Sequence, residues 1–383
     1  MVKLQLAFSA LCALLLFGKA LSENRTSQLF EEIGSHTKEN FVLSLFDIEL
    51  ILFEIYAGNA ILNDSNLRQD LIIGIGDSEV KKEMQALATK YRKASRAQIK
   101  MASRVFVPQE DPLSKEISLI YSLLTERAKK HDYNKDVKNS RTMEKWVSEN
   151  VDRALTKYAL DKKATQLVAL SGMSVTPQWS IRFKSQHNRY FDRKYGTGHS
   201  KGPLCVPMMH TLLKIETMAT DEAKGIFIKF VTTDIGILFL LPRKGVSCQD
   251  VLDNLSTQIN AEMDDPRDIN LILPIFKANY EPDISSVIKK INMASVFNGT
   301  KFYSEFNIKI DEFVQNTVID IQPNHNLTEV NDIDMKNIEK FEVNRPFVFV
   351  IKDKDSIYAV GRIENLDGLT SQVNCSRKYY DFD

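Results

Sequence analysis

Two hydrophobic periods divide this chain. In the first part, apolar positions recur at helical spacing. Phe41 to Ala57 is an apolar run with that spacing, and Glu79 to Tyr91 and Glu116 to Lys130 are amphipathic. Met143 to Tyr158 sets Trp146, Val147, Val151, Leu155 and Tyr158 along one helix face, while Ile99 to Val107 between them predicts a strand. From Leu167 onward the pattern is β-like. Leu167 to Val175, Gly225 to Val231, Ile235 to Leu241, Ile269 to Phe276, Thr317 to Ile321, Pro346 to Ile351 and Ser356 to Ile363 are short runs of β-branched and aromatic residues, bounded by turns or charges. Helices first and strands later predict an α+β architecture. No linker rich in Pro, Gly or Ser interrupts it, so a single domain over 21–383 is expected. Gln322 to Lys340 fits neither period: it is polar, acidic and without aromatics, and predicts a long exposed loop between strands. Loops of that length inside a domain are uncommon and are usually functional or disordered.

The N-terminus changes the picture of where the chain goes. Lys3 precedes a run of 14 residues, Leu4 to Phe17, interrupted only by Gln5 and Ser9, and Gly18-Lys19-Ala20 follows with small residues. This is a signal-peptide pattern over residues 1–20, and the run is short of the roughly 20 apolar residues a membrane span needs. A secreted, extracellular chain starting near Leu21, with no membrane span, is expected. Asn-X-Ser/Thr sequons at Asn24, Asn63, Asn254, Asn298, Asn326 and Asn374 fit a glycoprotein. Cys12 leaves with the signal, and Cys205, Cys248 and Cys375 remain. Three cysteines leave open three thiols or one bridge, and their spacing matches no zinc pattern.

The 50 Lys and Arg balance the 50 Asp and Glu, so no electrostatic footprint for nucleic acid is visible. Lys90, Arg92, Lys93, Arg96 and Lys100 form a basic cluster at a helix end. It fits a solvated terminus complementing the helix dipole, with weak binding of a sulfated glycan as the alternative. Enzyme chemistry finds little support. Gly198-His199-Ser200-Lys201-Gly202 has the spacing of a nucleophile elbow, but the polar Asn188 to Lys194 before it and Pro203 after it deny the strand–turn–helix setting that exposes the hydroxyl. The six histidines are scattered, and Gly74-Ile75-Gly76 lacks the third glycine of a dinucleotide loop. No enzyme activity, cofactor or metal is expected.

Several strings, in order along the mature chain, resemble the serpin family: Asn40-Phe41-Val42-Leu43-Ser44, Met101 to Val107, Lys145-Trp146-Val147, Trp179 with Phe183, Val206-Pro207-Met208-Met209, Leu273-Pro274-Ile275-Phe276-Lys277, Asn344-Arg345-Pro346-Phe347 and Gly361-Arg362-Ile363. The resemblance implies three β-sheets, about nine helices and an exposed reactive loop near the C-terminus, where Gln322 to Lys340 falls. It implies an extracellular protein partner, with a serine protease as the candidate, and a monomer. In inhibitory members a protease cleaves the loop, whose N-terminal part then inserts as a new strand in the large sheet.

This chain departs from that pattern where movement is required. The family writes Gly-Thr and a run of alanines in the hinge. Here the hinge is His325, Asn326, Leu327, Thr328, Glu329 and Val330, followed by Asn331 and Asp332. Alternate side chains of an inserted strand are buried, so either Glu329 or Asp332 would enter the sheet at a cost of several kcal/mol or take up a proton. Asn326 is a sequon, and a glycan there could not enter a packed sheet. In the family's Ser-Pro-X-Ser string this chain keeps Ser44 but has Leu45 and Asp47; Ser171 replaces the usual Asn and Gln315 the usual His. Counting back from Pro346 puts the scissile bond near Met335-Lys336, and counting forward from the hinge puts it near Glu339-Lys340; both stay open, and either Lys suits a trypsin-like enzyme. In general character the chain is similar to insect male accessory-gland serpins of seminal fluid. The residues predict a serpin body whose loop insertion is weak or lost, serving as a binding, decoy or regulatory protein, the alternative being a working inhibitor.

Overall fold

The computed structural model describes residues 39–48, 77–108, 129–131, 145–146, 148–151, 167–193, 202–281, 284–286, 310–324, 338–371 and 373–375. These build three β-sheets. The first contains β1 (Phe41–Ser44), β7 (Thr217–Ala219), β8 (Ala223–Lys229), β9 (Gly236–Pro242), β14 (Phe347–Lys352) and β15 (Ile357–Ile363), in the order β1-β15-β14-β9-β8-β7. The second runs β11 (Phe276–Tyr280), β12 (Ile310–Ile321), β4 (Leu167–Val175), β2 (Ile99–Pro108), β3 (Lys129–His131). The third runs β13 (Glu339–Glu342), β10 (Arg267–Pro274), β6 (Leu204–Ile215), β5 (Ser185–Phe191). Helix α1 (Asp77–Arg96) leads directly into β2, and the short helices α2 (Cys248–Asp253) and α3 (Leu255–Asn260) follow β9.

The six-stranded sheet is covered on both faces, which explains strands with no polar alternation. In β9, Ile237, Phe239 and Leu241 join one apolar cluster and Leu238 and Leu240 another. In β14, Phe347, Phe349 and Ile351 divide from Val348 and Val350 in the same way. A capping box starts α2: Ser247 Oγ accepts from the Asp250 N–H at 3.1 Å, and Asp250 Oδ2 accepts from the Ser247 N–H at 2.7 Å.

Some expectations are corrected. Phe41–Ser44 is a strand, because pairing along β15 overrides its helical spacing, and Leu45 to Ile48 turn helical only after it. Lys129 and Lys130 belong to β3, not to a helix. The expected loop 322–340 is narrower at its far end, where β13 begins at Glu339. One bridge was among the open alternatives for the cysteines: Cys205 and Cys375 form a disulfide, and Cys248 is a buried free thiol. Residues 1–20, expected as a signal peptide, and residues 198–201 of the Gly-X-Ser-X-Gly string lie outside the described residues.

Candidate functional site

The site is the seam where β12 lies parallel to β4, together with the chain that leaves β12. The two strands pair from Ile310 with Leu167 to Ile319 with Val175, so this sheet is closed. The paired segment Leu170–Met173 and Thr317–Ile319 is dry: Leu170, Met173, Thr317, Val318 and Ile319 have no accessible surface. Gly172 lets a crossing segment approach, since a Cβ there would meet Val151 Cγ2 at 2.9 Å.

The four positions expected to serve movement of the sheet, Ser44, Asp47, Ser171 and Gln315, are all buried. Gln315 sits opposite Ser171 in the ladder and reaches across to the end of β1. Its Oε1 accepts from the Ser44 N–H at 3.0 Å and its Nε2 donates to the Ser44 carbonyl at 2.9 Å. One neutral amide thus satisfies both main-chain groups of Ser44 and ties the second sheet to the first. Ser44 Oγ in turn accepts from the Asp47 N–H at 3.3 Å and donates to the Tyr358 carbonyl at 3.5 Å. Asp47 is 1% exposed, and its Oδ2 has no hydrogen-bond partner among the described residues. Burial pushes its pKa up to about 8, against the opposing pull of the Ser44 side chain.

The upper end of the seam is organised by Trp179, which is fully packed against Phe183, Phe230 and Phe239. Its indole Nε1–H donates to the Gln322 carbonyl at 2.8 Å. Its main-chain N–H donates to Asn324 Oδ1 at 3.1 Å, and its carbonyl accepts from Asn324 Nδ2 at 3.0 Å. The chain leaving β12 is therefore held at this point.

The hinge residues His325, Asn326, Leu327, Thr328, Glu329 and Val330, and the scissile candidates Met335 and Lys336, lie outside the described residues. Glu339 and Lys340 are placed in β13, paired parallel to β10 through Ile269 and Asn270. Arg267 Nε meets Glu339 Oε2 at 2.7 Å, and Lys340 pairs with Glu342. Glu339 and Lys340 thus stand in a paired edge strand. Of the sequons, Asn254 and Asn374 are exposed, and Asn24, Asn63, Asn298 and Asn326 lie outside the described residues. Asn254 Nδ2 donates to the Asp250 carbonyl at 3.1 Å, a bond that a glycosylated amide, which keeps one N–H, can retain.

The basic cluster divides by role. Lys93 Nζ donates to Asp234 at 2.8 Å and to Asp353 at 2.6 Å. Asp353 is buried and also accepts from Tyr358 Oη and from the N–H groups of Asp355 and Ser356. Burial works to raise its pKa, but Lys93 and the backbone donors outweigh it and hold the carboxyl below its ordinary value. Arg92, Arg96 and Lys100 stay exposed. Lys93→Ala is expected to cost about 1 kcal/mol, because Asp353 keeps three donors and water screens the pair. A urea midpoint measured against wild type checks this. Sequence reading had no means to separate Lys93 from its neighbours, since its partners are 141 and 260 residues away.

Residues 21–366 match the family described as serpin (serine protease inhibitor). The chain belongs to the serpin family. It is 22% identical to an antitrypsin of Bombyx mori over 347 residues, 86% of this chain and 87% of that one. It is equally similar to antichymotrypsin-2 of the same species, over 86% of this chain and 93% of the relative. Among solved structures, native protease nexin-1 with heparin aligns with a TM-score of 0.74 at 18% identity, covering 90% of this serpin and 98% of that chain. Serpin-12 of Manduca sexta aligns at 0.73 and 15% identity, covering 90% and 98%. The fold is that of the family, with three sheets. Among the described residues of this serpin, no helix is long and apolar enough to cross a membrane, and no group of three His, Cys, Asp or Glu could hold a metal.

Proposed function

We propose that this serpin is an exported, glycosylated protein of extracellular fluid whose loop-insertion inhibition is weak or lost, and that it acts as a binding, decoy or regulatory partner of an extracellular protein, a serine protease among the candidates. The observation that carries this is the dryness of the β4–β12 seam beside the composition of the hinge. A strand entering between Met173 and Thr317, both without accessible surface, must place Glu329 or Asp332 there. An uncompensated carboxylate in such a place costs several kcal/mol, against the gain that drives insertion. The N-terminal signal pattern, the sequons and a disulfide between Cys205 and Cys375 support export to an oxidising compartment.

Cleaving the loop is the test. The cleaved protein is expected to melt within about 2–4 °C of the intact one, the equivalent of roughly 1 kcal/mol. Incubation with a trypsin-like protease is expected to leave no adduct on a denaturing gel. A large rise in Tm, or such an adduct, establishes the second reading, a working inhibitor of a trypsin-like enzyme, which the name of the Bombyx mori antitrypsin favours. The exposed Arg92, Arg96 and Lys100 are the residues that would hold a sulfated glycan, weakly and in a salt-dependent manner.

A further inference from the structure

We propose that Asn324 is a latch that holds the upper mouth of the β4–β12 seam shut. The geometry is that of a counterfeit strand residue. In a sheet, an incoming residue satisfies its neighbour by accepting from one N–H and donating to one C=O. The Asn324 amide does both to Trp179: Oδ1 takes the N–H at 3.1 Å and Nδ2 gives to the carbonyl at 3.0 Å. Trp179 lies four residues beyond the end of β4, and Asn324 three beyond the end of β12, so this pair bridges the two strands where they would first part.

Both sides of the bridge are stiff. The other main-chain neighbours of Trp179 are engaged with β8 and the residues after it: Ser180 N–H donates to the Lys229 carbonyl at 2.9 Å and Val231 N–H to the Gln178 carbonyl at 2.7 Å. Its ring is wedged among Phe183, Phe230 and Phe239, and its indole N–H holds Gln322. On the opposite side, Pro323 has a fixed φ and no N–H, which stiffens the turn that presents Asn324. Any strand entering from above must displace Asn324 from groups it already satisfies. Lower down, the Gln315 bridge to Ser44 anchors β12 to the first sheet, so β12 is held at two levels. The latch concerns opening of the sheet and stands whether or not the loop inserts, so the cleavage experiment can fail without touching it.

Hydrogen–deuterium exchange on the full chain tests it. Asn324→Ala is expected to speed exchange about tenfold in peptides covering Met173–Val175 and Val318–Ile321, as two local bonds are lost. Peptides from β8, β9 and β14 are expected to exchange as in wild type. Asn324→Asp keeps the acceptor and loses the donor, and is expected to fall between the two. Unchanged exchange at the seam in Asn324→Ala overturns the latch, and so does an equal rise in the six-stranded sheet, which would mean general loss of stability.

Discussion

Asp47→Asn is expected to stabilise the protein by about 3 kcal/mol at pH 8 and to change nothing below about pH 4. The buried Asp47 carboxyl, whose Oδ2 has no partner among the described residues, holds its proton up to about pH 8 in the native state, against a value of 3.8 when free. Below 3.8 both states are protonated and the residue is neutral in the balance. As pH rises from 3.8 towards 8, only the unfolded state releases the proton, so native stability falls through this window and levels off above it. The whole interval corresponds to roughly 6 kcal/mol, and entry of water or adjustment of neighbours reduces it, hence the smaller figure. Tyr91, whose own pKa is raised first by burial and then by Asp47, is the titrating neighbour that senses this charge. Urea titrations of wild type and variant at pH 4, 6 and 8 check the prediction. A difference that stays the same at all three values defeats it. Asp47→Ser, which restores the family's residue, should follow the same pH course.

Replacing both Cys205 and Cys375 by serine is expected to cost about 2–5 kcal/mol. The bridge joins residues 170 apart, and closing a loop of that size removes entropy from the unfolded chain worth about 5 kcal/mol at most. It also pins the C-terminal segment against the third sheet, where Asn188 Nδ2 donates to the Asn374 carbonyl at 3.2 Å. Denaturant unfolding of oxidised wild type against the double variant measures the effect. An unchanged midpoint would show that the two thiols do not pair in the folded protein.

Much of the fold could be read from the chain, and the misses have physical causes. The strands around Ile237 and Val348 were legible because a strand covered on both faces is apolar throughout. By contrast β5, Ser-Gln-His-Asn-Arg-Tyr-Phe, has a strand's geometry without a strand's composition, and it is held by its pairing along β6. Pro207 hid the length of β6, although it pairs with Asn188 there. Phe41–Ser44 looked helical because its three apolar residues run straight into a helix and share its period. At the site, Ser44, Asp47, Ser171 and Gln315 could be named from family strings, but their convergence could not: Gln315 and Ser44 are 271 residues apart. The grip of Asn324 on Trp179 spans 145 residues and left no local trace in the sequence.

The anchoring of β13 has a consequence for the intact polypeptide. Fourteen peptide steps separate Asn324 from Ile338, enough to reach about 46–50 Å when drawn straight. Threading to the bottom of the nine-residue β4 and returning would require a path of roughly 60 Å. An uncut tether of this length comes up short. Spontaneous burial of the whole segment would have to unzip the edge strand held by Arg267 first, so the native arrangement is guarded against ageing into a dead-end conformer by simple arithmetic of reach.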